Sequence, residues 1–158
     1  MALFLEYKND FSKNNKNYTE LDHYGFALAD TKNIDLFCTA LTHGDEVVGL
    51  EIINLLLHEI KTNPSANLAN LNCAFLLNNT EAYYQNKRFI ETDLNRSFMA
   101  ATQTTKEQIR AQQIENILGQ FNINLLLDLH QTIGPTKTAF AVIPENRRSI
   151  ALAHKIAP

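Results

Sequence analysis

The chain has 158 residues, 45% of them hydrophobic, and a formal net charge of -3. That length and apolar content suit one globular domain with a sizeable core. The mildly acidic balance gives no general attraction to polyanions, which argues against nucleic acid or an anionic membrane surface as partner.

The opening MALFLEYKND carries Glu6 inside a short apolar run and lacks a small-residue cleavage signal, so it does not read as a secretory leader. The polar KNDFSKNNKNYTE reads as an N-terminal arm or turn. No apolar run reaches membrane-spanning length, the stretch around 47–57 being broken by Glu51 and Asn54, and a soluble cytoplasmic protein is expected. From residue 34 onward, short runs rich in branched residues alternate with helical patterns, the form of strand-helix-strand units. The expected fold is α/β: a layered, mostly parallel or mixed sheet with helices on both faces.

NIDLFCTAL reads as a strand. Glu46 to about Ile60 then repeats apolar residues at Val47, Leu50, Ile53, Leu57 and Ile60, with Ile52 and Leu56 on other faces, which predicts a helix covered nearly all round. Pro64 lies just past its end. LNCAFLLN is the next strand. Cys38 and Cys73 both fall in strand-like runs and read as small buried core residues, not as disulfide partners or ligands. NTEAYYQNKRFIETDLNRSF follows as a long connection with little periodicity, and compact domains keep such loops mainly for function. Thr104 and Glu107 read as a capping box opening a helix with an apolar stripe at Ile109, Ile114, Ile117 and Leu118. INLLLDLH, apolar until Asp128, is the candidate central strand; TAFAVI reads as another strand, and ENRRSIALAHKIA as the start of a helix.

In open α/β sheets, ligands collect at the carboxyl ends of the strands. Three polar clusters sit after strand-like runs: THGDE, DLNR and DLHQT. His43, Glu46 and His130 in the first and third make a candidate metal set. Two imidazoles and a carboxylate suit zinc, and three protein ligands leave a fourth position for water or substrate. Gly44 supplies a sharp strand-to-helix bend, and Asp128 shares a side of its strand with His130 and can orient an imidazole. The structural alternative is that Thr42 or Asp45 caps the helix and His43 is a loop residue. His58 begins an H-E-x-x pattern, but position 62 is Thr, so the zinc-helix motif fails; His23, His58 and His154 read as surface or packing residues. Arg88, Asp93, Asn95 and Arg96 form a second constellation. Its guanidiniums suit a carboxylate or a developing oxyanion, whereas composition alone favours a solvated loop with an Arg–Asp salt bridge.

THGDEVVG, KRFIETDLNRSF and LLLDLHQT, in this order, resemble the succinylglutamate desuccinylase and aspartoacylase family, relatives of the zinc carboxypeptidases. The resemblance covers roughly residues 34 to 135. It implies a zinc carboxypeptidase-like fold and a Zn2+-dependent amidohydrolase that cleaves the amide joining a short acyl group to an acidic amino acid. Carried over by motif, His43, Glu46 and His130 match the zinc ligands, Arg88 the arginine that polarises the scissile carbonyl, and Asn95 and Arg96 the residues that grip substrate carboxylate. Asp45 takes the place of an Asn found in many members. The family's general base is a glutamate on a later strand. Here Glu145 is the single acid after His130, and its position before a helix start reads as a capping or dipole role. The chain is therefore expected to be a single domain over 1–158 that forms the N-terminal part of a longer catalytic domain, with an exposed sheet edge that leaves room for homo-oligomers. A carboxypeptidase-like metallopeptidase and a non-catalytic binding module on the same scaffold are the alternatives.

Overall fold

A computed structural model describes residues 1–132 together with positions 134, 135, 137, 142, 149–151 and 154. Glu145 and, but for Val142, the expected strand TAFAVI lie outside the described residues; of the expected helix ENRRSIALAHKIA only 149–151 and 154 are described, and these are helical. In chain order the elements are α1 (Ala2–Asn14), β1 (Tyr18–Asp22), β2 (Gly25–Leu28), β3 (Asn33–Ala40), α2 (Val48–Thr62), a 3-10 turn (Asn67–Asn70), β4 (Cys73–Leu77), α3 (Thr80–Tyr84), a second 3-10 turn (Leu94–Arg96), α4 (Lys106–Leu118) and β5 (Asn122–Leu129).

The five strands form one mixed sheet in the order β1-β2-β4-β3-β5. β1, β2 and β4 pair antiparallel, while β3 runs parallel to both β4 and β5. Side chains alternate across β4: Cys73, Phe75 and Leu77 join the core under α1 and α2, and Ala74 and Leu76 join the core under α4. Because helices cover both faces, all five β4 residues are buried and the strand reads as an unbroken apolar run. INLLLDLH forms β5. β5 pairs only with β3 among the described residues, and Leu126 and Leu127 remain 48% and 36% exposed.

The polar N-terminal arm is also corrected. Its first half is the end of α1, whose buried Phe4, Tyr7, Lys8 and Phe11 recur at helical spacing, and its last residues enter β1. Lys8 is buried because its Nζ donates to Glu20 Oε1 at 2.7 Å and to the carbonyls of Asp22 and His23 at 2.6 and 2.8 Å. His58 accounts for itself as a packing residue, with Nδ1 3.0 Å from the Tyr7 hydroxyl. α2 buries one stripe, Gly49, Leu50, Ile53, Asn54 and Leu57, and is not covered all round: Val48, Ile52 and Leu55 are exposed. A Cβ on Gly49 would lie 2.8 Å from the Leu129 carbonyl oxygen and 3.0 Å from Ala40 Cβ, so the missing side chain lets α2 settle onto the ends of β3 and β5.

The capping box of α4 falls one residue later than expected. Thr105 accepts from Gln108 N, and Gln108 Oε1 accepts from Thr105 N. Glu107 is thereby turned inward, and Ile109 faces out, leaving Ala111, Ile114 and Ile117 as the apolar stripe.

Cys38 and Cys73 are free and buried on neighbouring strands, as expected of core residues. Burial pushes each thiol up to about 12. At pH 8 this leaves roughly one thiolate in 10,000 at either site. Iodoacetamide at pH 8 is expected to leave both unmodified in the folded protein and to alkylate both in denaturant, as read by intact mass.

Candidate metal centre

The centre is built where β3, β4 and β5 end. β3 stops at Ala40, and buried Leu41 takes φ 60°, in the left-handed region that costs a non-glycine residue on the order of 1–2 kcal/mol. The turn is fastened by Asn78 N donating to Ala40 O and Asn79 N to Leu41 O, both at 2.8 Å. Thr42, His43 and Glu46 are consequently brought inside the protein, all three buried. The parallel register sets Thr39 against Asp128 and Ala40 against Leu129, so His130 emerges beside His43.

The Glu46 carboxylate is the meeting point. Its Oε1 lies 2.8 Å from His43 Nδ1 and accepts from Arg88 Nη1 at 2.9 Å; its Oε2 lies 2.9 Å from His130 Nδ1 and accepts from Gln131 N at 3.0 Å. Donor atoms of His43, Glu46 and His130 all fall within 4.8 Å of one another. Burial alone would raise the Glu46 carboxyl, but the Gln131 amide and the two histidines outweigh it and hold it below its ordinary value.

Both imidazoles are oriented alike, with Nδ1 toward Glu46 and Nε2 toward a second carboxylate. His43 Nε2 lies 3.0 Å from Asp93 Oδ1, and His130 Nε2 lies 2.7 Å from Asp128 Oδ2. Asp128 is fixed in turn by the hydroxyls of Thr39 at 2.7 Å and Thr42 at 3.0 Å, and Thr42 accepts from Asn78 Nδ2 at 2.8 Å. Thr42 is thus no helix cap: α2 begins at Val48 without a side-chain cap, and Asp45 is exposed. Burial works against ionisation of Asp128 and Asp93, yet hydrogen bonds and the adjacent histidines leave both carboxyls lowered. The Asp128 hydrogen bond, opposed by burial and reinforced by the charges of Asp128 and Glu46, raises His130 to about 9.

The connection after β4 contains α3, N-capped by Asn79, and then delivers the second constellation. Arg88 reaches Glu46. Asp93 meets His43 and also pairs with Arg96 Nη1 at 3.3 Å, so the Arg–Asp salt bridge foreseen as the alternative is present. Asn95 contributes its backbone N–H to Asp93 Oδ1 at 2.9 Å, and the side chains of Asn95 and Arg96 are exposed. Gly44 does not bend the chain through an unusual φ, as no glycine has a positive one. It is small because α3 and the loop lie against it: a Cβ would be 2.3 Å from Ala82 C and Tyr83 N, and Gly44 N donates to Arg88 O at 3.0 Å. Thr39, Thr42, Asn78 and the Asp93–His43 contact went unseen in the sequence. The signal available was their place at strand ends beside the histidines.

Comparisons with known proteins give the family and the fold. A family model described as "Succinylglutamate desuccinylase/Aspartoacylase catalytic domain" matches residues 32–157. A succinylglutamate desuccinylase of Vibrio vulnificus is 35% identical over 127 residues, covering 75% of this chain and 36% of the relative. The chain therefore spans about a third of the length of the curated relatives it matches. Among solved structures, the succinylglutamate desuccinylase of Chromobacterium violaceum superposes with a TM-score of 0.70 at 22% identity, over 92% of this chain and 51% of that one. A metallo-carboxypeptidase from Burkholderia cenocepacia does so with a TM-score of 0.61 at 13% identity, over 83% and 40%. These structures share the mixed α/β fold.

A methyl group at position 44 has nowhere to go without moving backbone. Gly44→Ala is expected to lower stability by about 1–3 kcal/mol, read as a shift of the urea midpoint with unchanged slope.

Proposed function

Because the chain belongs to the succinylglutamate desuccinylase and aspartoacylase family, we propose that it is the metal-binding part of a zinc-dependent amidohydrolase that releases a short acyl group from an N-acyl acidic amino acid. The observation that carries this reading is the convergence of His43 and Glu46 from the end of β3 with His130 from the end of β5, their donor atoms within 4.8 Å. The donor set fits the metal: two imidazole nitrogens and one carboxylate oxygen are a catalytic zinc set with a position left over. With Nε2–H given to Asp93 or Asp128, each imidazole is held in the tautomer whose Nδ1 lone pair faces the centre. His130 gives up a proton to take that form, so metal uptake and proton release are coupled there.

Zinc held by these residues supplies Lewis-acid polarisation of the amide carbonyl and acidifies water beside it. The protein's own groups do the rest. Arg88, anchored at Glu46, offers a fixed positive charge at the edge of the centre where an oxyanion develops. Asn95 and Arg96, exposed on the same loop, take the substrate carboxylate, the guanidinium forking onto both oxygens. Asp93 joins the two tasks, one oxygen on His43 and the other on Arg96. We assign no described residue the part of general base, since Glu46, Asp93 and Asp128 are each committed to the centre.

Protein purified without chelator is expected to hold about one zinc per chain, and His130→Ala little. Absence of zinc from the wild type, even after adding it back, would sink the proposal. The zinc-loaded protein is expected to bind or cleave N-succinyl-L-glutamate or N-acetyl-L-aspartate and to ignore C-terminal peptide bonds. Where turnover is measurable, Arg88→Ala should lower kcat by roughly 10²–10³.

A further inference from the structure

Glu107 is 1% exposed, comes from α4, and touches none of the three candidate ligands. No ion pair among the described residues includes it, although the charge of Lys106 is felt there; the groups that hydrogen-bond its carboxylate are neutral. Oε1 accepts from Ile90 N at 2.7 Å and from Asn79 Nδ2 at 3.3 Å, and Oε2 accepts from Glu91 N and Thr92 N, each at 3.1 Å. Three successive backbone amides thus close around one buried carboxylate. An anion taken out of water is retained only if its lone pairs are filled, and these amides fill them. Burial favours the neutral acid, but the amides of Ile90 and Thr92, with Asn79, outweigh it and leave the group below its ordinary value.

The three amides occupy a particular place. Arg88 lies two residues before Ile90 and contacts Glu46; Asp93 directly follows Thr92 and contacts His43. The two residues through which the loop meets the centre therefore flank the segment wound on Glu107. The loop returns the interaction, since the Glu91 carboxylate accepts from Lys106 N at 2.7 Å and the Thr92 hydroxyl lies 3.0 Å from that of Thr105. Just beyond, fully buried Leu94 packs into the same core as Ala111 and Ile114.

We propose that Glu107 is a positioning residue: its buried carboxylate is the template on which residues 90–92 are wound, and it thereby sets Arg88 and Asp93 at their stations on Glu46 and His43 and presents Asn95 and Arg96 to the substrate. The substrate side of this inference rests on the function proposed above; the template side does not. Glutamine at 107 keeps the size and loses half of the acceptor capacity, because its Nε2 cannot accept from an amide.

The experiment compares wild type with Glu107→Gln, zinc-loaded, by site-resolved amide hydrogen exchange and by calorimetric titration with N-succinyl-L-glutamate and N-acetyl-L-aspartate. The wild type is expected to protect the amides of Ile90, Glu91 and Thr92 as strongly as those of β3 and β4, although they lie outside any helix or strand; fast exchange there overturns the template in the wild type alone, even if the variant fails to fold. In Glu107→Gln those three amides are expected to exchange at least ten times faster while β3 and β4 keep their protection. Zinc should remain at one per chain and ligand affinity should fall at least tenfold. Unchanged exchange at 90–92 overturns the inference, and so does lost protection with wild-type affinity, which would make Glu107 a purely structural anchor. A wild type that binds neither compound removes the proposed substrate instead, and the exchange rates then judge the template by themselves.

Discussion

The carboxylate of Glu46 receives His43, Arg88, His130 and the amide of Gln131, and so ties the turn after β3 to the loop after β4 and to the end of β5. Everything around it works to make that buried charge tolerable. A carboxylate at 7% exposure needs its lone pairs occupied, and the four occupants are carried in by three different parts of the chain. The left-handed Leu41, the close seat of α3 on Gly44 and the parallel register of β3 with β5 are the means by which those parts arrive.

Around Glu46 the polar groups form a graded network. Asp93 and Asp128 hold the outer nitrogens of the histidines, Thr39 and Thr42 hold Asp128, and Asn78 holds Thr42. Apart from Asp93, which arrives beyond α3, the members of this chain of contacts come from the carboxyl end of a strand or the loop just after it, which explains how a site with so many charges coexists with a core of Phe26, Phe37 and Phe75. The apolar sheet fixes the strands, and their ends inherit that rigidity.

Much of this was legible beforehand because it depends on residue type at short range. The pair His43 and Glu46 sits on one turn, DLH ends an apolar run, and ordered motifs tie the two together. Less legible were features in which one residue serves a distant backbone. Glu107 looked like half of a capping box, since a helix start accepts an acid at that spacing; that three loop amides would claim it is decided only by the fold. Thr42 looked like a helix cap for the same reason. α1 is masked in the sequence because its outer side puts Asn9, Asp10, Ser12, Lys13 and Asn14 into KNDFSKNNKNYTE, while Phe4, Tyr7 and Phe11 mark the buried side.

The register that unites β3 and β5 also imposes an order in time. Asn33 and Asn122 pair across 89 positions, and His130 follows Glu46 by 84. At ordinary synthesis speeds of about 5–20 residues per second, roughly 4–17 seconds separate the appearance of these two groups. In that interval β1 to β4 have their partners, and two of the three donors stand ready without the third. Completion of the centre thus reports that the last described strand has docked, and a cation that needs all three donors would favour the chain only after its long-range pairing is made, acting as a clasp closed late in folding.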